Sequence, residues 1–588
     1  MKASDFVARY LEARGVTHAF ELVGGMITHL LDSLSRHSKV TIVCCHHEQG
    51  AAFAAEGLAR ITGVPGVALA TSGPGATNLL TGIGSCFFDS TPAVFITGQV
   101  NTHELKGERG IRQLGFQETD IVSMAHPICK RAIQVERAED LPQVLDEIFA
   151  LALEGRPGPC LIDLPMNVQA ESIDDGVAMV ALQQAEILGR STQSPVCSPA
   201  APSSRQNDAF QQLVAAIDKA QRPLLLMGGG CAAFPNRSAS RAVAEALGIP
   251  VVLSLMGVDV LPESHPLRVG FIGSYGNRWA NKALGAADHL VVMGSRLDIR
   301  QTGADLESFC ADKQIWQIDI DQAELGVRIQ PTWSLCCSIQ AAAAELSGLA
   351  RQPGSRHHSW EQEIKTLREA YPAALEYPAE PGEFNPVALL QNLSQYAPDG
   401  CQYVTDVGQH QMWAAQSLRF RSQDRFLTSG GMGAMGFGLP AAIGAAFAHR
   451  DRTTVLISGD GSFQLNIQEL ETVRRNHLSL KILLFNNRCH GMVRQFQETY
   501  FQGNLQSTAK GYSAPDFVAI GLAYGIPSSR LLEGEDTAHA LQALLNADGP
   551  ILLEVPLSMQ SKVYPKLAFG RRFGEMEPEA TPIAMEST

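Results

Sequence analysis

Two short runs carry residues whose types and spacing suit a charged cofactor. Gly459-Asp460-Gly461-Ser462 ends the apolar run TTVLIS, and Asn486-Asn487 ends the apolar run KILLF. An Asp and an Asn at neighbouring strand ends offer two hard oxygen ligands. The flanking glycines let backbone N–H groups approach phosphate oxygens. Gly-Asp-Gly alone reads as an ordinary βα turn. Paired with Asn-Asn one helix and one strand later, it points to Mg2+ and a diphosphate, whose oxygens complete the metal's octahedron. A third run, GGMGAMG from Gly430 to Gly436, matches GxGxxG in form. It is expected to lack the preceding strand and the acidic residue about 20 positions on that a dinucleotide fold needs. The fourth feature is Glu48, at the head of HHEQGAAFAAEGLAR. Small apolar residues on every side of a helix imply burial, and a buried carboxylate needs a partner.

The elements that must position these residues are legible as alternating strands and helices, the sign of doubly wound parallel sheets of the α/β class. Strands are expected at VTIVCC, GVALAT, AVFITG and PCLIDLP in a first unit spanning 1–184. A Ser/Pro-rich linker is expected over 185–206. A second unit, 207–350, carries RPLLLMGGG, PVVLSLMG, HLVVMGS and QIWQIDID; a linker with one helix follows over 351–384. A third unit, 385–560, carries CQYVTDVG, TTVLISGDGS, KILLFNN and PILLEVP, and residues 561–588 read as a lid or a disordered end. Open sheets of this kind bind ligands beyond the carboxyl ends of their strands. The 588-residue chain is 45% hydrophobic and carries a net charge of −14, which argues against nucleic acid as a partner. No window suits a membrane span, and the amphipathic N-terminus has no signal-peptide core. Twelve cysteines without CxxC pairs suit reduced thiols and a cytoplasmic setting.

GDGS with NN, HEQGAAFAAEG with TSGPGATNLLTG, and the long runs GFQETDIV and TSGGMGAMGFGLPAAIGAAFA resemble thiamine-diphosphate enzymes of the acetohydroxyacid (acetolactate) synthase branch, over nearly the whole chain. The resemblance implies a pyrimidine-binding first unit, an FAD-binding second unit and a diphosphate-binding third unit. It implies that Glu48 hydrogen-bonds the cofactor's aminopyrimidine and promotes its imino tautomer. Gly433 would offer its carbonyl to the amino group, and Met435 would bend the cofactor over its reactive carbon. Gly408, Gln409, His410, Gly461 and Ser462 fall at the diphosphate, with Asp460, Asn487 and the Cys489 carbonyl as Mg2+ ligands. Gly228, Gly229, Ser254, Leu255, Gly294, Arg296, Asp298, Arg300 and Asp319 fall at the flavin, which has no redox role in the net reaction. Ser338 stands where the family has an Asp. His46 and His47 read as packing or hydrogen-bonding residues.

By the same resemblance Gly25, Phe116, Gln117, Lys130, Met166 and Phe496 surround the substrate, with Gln117 beside Glu48 and Met435 among the catalytic positions. The expected reaction decarboxylates pyruvate and passes a two-carbon unit to a second carbonyl compound. In acetolactate synthases that acceptor is another 2-keto acid. Here the family's Lys is Met166, its acidic pair is broken as Asp298-Ile299, and its Trp is Phe496. These changes favour a less anionic or larger acceptor, such as the activated keto-sugar used by the branched-chain-sugar carboligases. Lys130, Gln117, Arg300 or Arg494 could instead still hold a carboxylate, which leaves acetolactate synthase open. The His46-His47 pair is the one feature favouring a simple decarboxylase. A non-catalytic binding protein would not need Glu48 or Met435. The resemblance further implies a homodimer or homotetramer, with each cofactor bridging two chains.

Overall fold

The computed structural model describes residues 1–192, 204–349, 357–377, 379 and 382–583. Three six-stranded parallel sheets carry the chain. The first contains β1 (His18–Leu22), β2 (Thr41–Cys44), β3 (Gly66–Ala70), β4 (Ala93–Gln99), β5 (Arg131–Gln134) and β6 (Pro159–Pro165), in the order β2-β1-β3-β4-β6-β5. The second contains β7 (Pro223–Met227), β8 (Val251–Leu253), β9 (Arg268–Phe271), β10 (His289–Met293), β11 (Gln314–Asp319) and β12 (Trp333–Cys336). Its order, β12-β11-β10-β7-β8-β9, is that of a dinucleotide-binding sheet, reversing between β7 and β10. The third contains β13 (Gln402–Thr405), β14 (Arg425–Leu427), β15 (Thr454–Gly459), β16 (Leu480–Asn486), β17 (Ser528–Arg530) and β18 (Ile551–Pro556). Its order, β14-β13-β15-β16-β18-β17, repeats that of the first sheet strand for strand. Central strands such as β3, β4 and β16 are buried along their whole length, as strands covered on both faces must be.

The alanine- and glycine-rich helix Glu48–Thr62 packs across the helix Gly438–Ala448 of the third unit. The approach is so close that a Cβ on Gly57 would lie 2.2 Å from the Ala441 carbonyl oxygen. A Cβ on Gly444 would lie 2.0 Å from that of Ala54. Small residues on every side of the first helix are therefore the condition for joining two units.

Three expectations change. Residues 185–192 continue the helix Asp175–Thr192, and another helix, Ser204–Lys219, starts before the expected linker ends; residues 193–203 lie outside the described residues. The chain from 561 to 583 is neither free nor loose. It forms a small antiparallel pair, β19 (Lys566–Leu567) with β20 (Met576–Glu577), closed by Lys566 Nζ to Glu577 Oε1 at 2.9 Å. The buried Arg278 of the second unit donates to the Met576 and Glu577 carbonyls and pairs with Glu376. Third, GGMGAMG does follow a strand, the short edge strand β14. Among the described residues no helix is long and apolar enough to cross a membrane.

Candidate active site

The first and third sheets each reverse direction at the same place in their order, between β1 and β3 and between β13 and β15. Such points leave a crevice outside the strand ends. In the first unit that crevice gathers Glu48, Thr71, Gly24, Gly73, Asn78 and Gln117. Glu48 opens its helix, where the dipole favours an acid, and His47 caps it, Nδ1 accepting from the Gln49 N–H at 3.0 Å. The buried carboxylate takes Asn78 Nδ2 at 2.9 Å on Oε2, while Oε1 faces Gly75, whose Cβ would come within 3.2 Å of it. Gln117 holds φ +66°, a left-handed backbone rare for a residue with a side chain, and lies against Gly73. Glu118 fixes that loop, accepting from the Lys106 and Leu114 N–H groups. Gly25 faces open space, Phe116 is 79% exposed, and Met166 starts a helix directly after β6.

The third unit gathers the other half. The register Gly459↔Phe485 between β15 and β16 brings Asp460 and Asn487 to one rim. Asp460 Oδ2 accepts from Tyr512 Oη at 2.8 Å, and Asn487 Nδ2 donates to Gln409 Oε1 at 2.8 Å. The Cys489 N–H reaches Asn487 Oδ1 at 3.3 Å. Burial pushes the Asp460 carboxyl up to about 6, a cost that a bound cation removes. His410 is buried between two glycines: a Cβ on Gly408 would meet Cε1 at 2.6 Å, and one on Gly459 would meet Nδ1 at 2.7 Å. Burial lowers it to about 3, so the ring is neutral, and its Nε2 is buried without a hydrogen-bond partner. That orphaned atom, the glycine cradle and the paired oxygen ligands fit a Mg2+-diphosphate. Ser462 lies beside Ser458 on the same turn.

Gly433 (φ +64°) and Met435 lie on a segment pinned by Asp406, which sequence reasoning missed. Its buried carboxylate accepts from the Gly436 N–H on Oδ1 and the Gly438 N–H on Oδ2, both at 2.9 Å. The only local signal was an acid at a strand end two residues before Gly408. At the head of the segment the Gly430 and Gly431 N–H groups donate to Asp89 of the first unit, which engages these donors within the protein.

The expected flavin positions, all but Gly228, line one cavity of about 470 Å3 at the β7/β10 reversal. Gly228 stands behind it, where a Cβ would lie 2.1 Å from the Gly294 carbonyl oxygen. Arg156, Asp89, Gly430 and Gly431 complete the wall, and Ser338 lines it while capping the next helix through the Ala341 N–H. Size, position and the glycine contact fit a dinucleotide such as FAD. Two expected cations are engaged by the protein itself. Lys130 Nζ donates to the Glu154 and Arg156 carbonyls, behind the cavity wall. Arg494, fully buried, is spent on Glu498, Gln560 and the Ser561 carbonyl. Phe496, 40% exposed, packs its ring at a tilt against Tyr500 and Phe501.

Fold and site together define an α/β enzyme with two like units shaped for one diphosphate cofactor and a dinucleotide-type unit beside them. Three family models match: the N-terminal thiamine pyrophosphate binding domain over residues 1–124, the central domain over 210–346 and the C-terminal binding domain over 406–555. Acetolactate synthase 2 of Nicotiana tabacum is 38% identical, covering 98% of this chain and 85% of that protein. The large subunits of acetolactate synthase isozymes 1 and 2 of Escherichia coli are 37% identical over 98% of this chain and 97% and 99% of their own lengths. The chain belongs to the thiamine pyrophosphate enzyme family and is an acetolactate synthase-like enzyme that transfers two-carbon units.

Proposed function

We propose that the chain is a carboligase that decarboxylates pyruvate and transfers the two-carbon acetyl unit to a ketone, with an activated keto-sugar as the acceptor class. One observation carries this reading: no cation stands ready for a second carboxylate among the residues expected at the substrate. Met166 is apolar, Lys130 and Arg494 are committed to the protein, and Arg300 lines the flavin-type cavity. Exposed Arg112 lies on the loop leading to Phe116 and Gln117, with exposed Arg109, which donates to the Leu105 and Lys106 carbonyls, earlier on it. Phosphates of an activated acceptor would find a cation on that loop.

Thiamine diphosphate, when bound, supplies the nucleophilic carbon and takes up the electrons released with CO2. The protein's part is to hold and move protons and to position. Glu48, anchored by Asn78, leaves Oε1 to exchange a proton with the pyrimidine nitrogen. Asp460 and Asn487 would hold the Mg2+, His410 would stand beside the diphosphate, and Gln117 would orient the acceptor. FAD would fill the second-unit cavity without redox work. The open faces at Gly25 and Phe116 suit closure by a second copy, so that the working unit is a homodimer or a tetramer built from it. The free cysteines of the described residues suit the cytoplasm.

The likeness to acetolactate synthases supports the second reading, in which two 2-keto acids are joined. Pyruvate alone, and pyruvate with a panel of ketones that includes a nucleotide-linked 4-keto-deoxysugar, separate the two when CO2 is followed and products are weighed by mass spectrometry. Slow turnover alone with an acetyl adduct on the ketone is expected. Fast acetolactate formation from pyruvate alone would favour the second reading and remove the first.

A further inference from the structure

The segment from Gly430 to Gly438 hangs between two buried carboxylates. Asp406 holds its far end. Its near end is held by Asp89, whose side chain is 1% exposed: Oδ2 accepts from the Gly430 N–H at 3.0 Å and Oδ1 from the Gly431 N–H at 2.5 Å. Between the two anchors Gly433 has a left-handed backbone and nothing near the position of a Cβ. The same Asp89, with Gly430 and Gly431, is wall of the 470 Å3 cavity. The fit is close from the second unit as well, since a Cβ on Gly430 would strike Met256 Sδ at 2.5 Å. Arg60 ties the group together, donating to the Thr428 carbonyl at 2.8 Å and lying 3.4 Å from Glu56 and 3.8 Å from Asp89. The wall of the cavity and the mooring of the segment that carries Gly433 and Met435 are therefore the same residues.

We propose that Asp89 is a positioning residue that couples the dinucleotide cavity to the thiamine site: occupancy of the first sets where Gly433 and Met435 stand in the second. It rests on reading the cavity as the flavin site. Coupling between two binding sites is reciprocal. In the apo full-length protein, FAD is titrated by its fluorescence with and without saturating thiamine diphosphate and Mg2+. Thiamine diphosphate is then titrated with and without saturating FAD. Each ligand is expected to tighten the other by the same factor, about five-fold or more. The near-ultraviolet circular dichroism of bound thiamine diphosphate is expected to change when FAD is added.

In D89N the side chain has one oxygen for two N–H donors and turns an NH2 toward the other. The factor is expected to fall below about two-fold and the dichroism change to vanish, while FAD still binds. A wild-type factor of one overturns the coupling without needing any variant, so a D89N protein that fails to fold leaves the test standing. A full factor surviving in D89N overturns the role of Asp89. No FAD binding at all would sink the cavity assignment and the coupling with it; binding with a factor of one sinks the coupling alone.

Discussion

Glu48 is both a buried acid and the first residue of its helix, and the two roles are separable. Glu48→Gln keeps the shape and the bond to Asn78 while removing the proton-accepting oxygen. CO2 release is expected to fall roughly 10^2- to 10^4-fold with thermal stability nearly unchanged. A parallel loss of stability would make Glu48 a packing residue. Glu56, eight residues on, behaves differently. Burial outweighs the Arg60 guanidinium and pushes its carboxyl up to about 7 from an ordinary 4.5. The folded chain holds that proton more tightly than the unfolded chain, so stability falls as pH rises between these values, by up to about 1.4 kcal/mol per pH unit. Glu56→Gln should flatten the slope of urea-unfolding stability between about pH 5 and 7. An unchanged slope would place the titration elsewhere.

At the scale of elements, the crossing of the two small-residue helices is the most sensitive contact. Gly57→Ala drives a methyl into the Ala441 backbone, which can give way only if the helices part. The loss is expected to be about 2 kcal/mol despite alanine's better helix propensity. Gly25→Ala, whose methyl would meet nothing, should melt like the parent yet lose activity, because the space it enters is the crevice. Equal melting of both variants would mean the helices yield. The same scale shows what the sequence made legible. Long apolar runs bounded by glycine or proline revealed the central strands. β5, β9, β12, β14 and β17 went unread because all lie at sheet edges, where one side of a strand is unpaired and side chains such as those of Arg131, Gln134, Ser528 and Arg530 are admitted. β1 was masked by His18 at its start and Glu21 near its end. Of the site, the residues proposed for the metal and the diphosphate stand in continuous motifs, which is what made them candidates. Asp406, Tyr512 and Asp89 were not, because each acts on a partner 30 to 342 residues away in the chain.

At the scale of the molecule, three units meet around one cavity and the chain's end straps the second to the third. The strap depends on Arg278, whose guanidinium is buried among carbonyls and Glu376. Arg278→Met should release the 561–583 segment to limited proteolysis and leave the three sheets intact. A protease pattern identical to the parent's would show that the apolar contacts of Phe573 suffice.

The repeated strand order has a consequence in the language of symmetry. The helices Glu48–Thr62 and Gly438–Ala448 occupy the same place in their sheets, each between the second and third strand, and they meet glycine to alanine in both directions: Gly57 on Ala441, Gly444 on Ala54. That is the reciprocity of an isologous contact, written inside a single polypeptide. Nine residues before each glycine stand Glu48 and Met435. The acid and the thioether expected at the cofactor thus stand the same number of residues before the two contact glycines, Glu48 opening its helix and Met435 lying just ahead of the other.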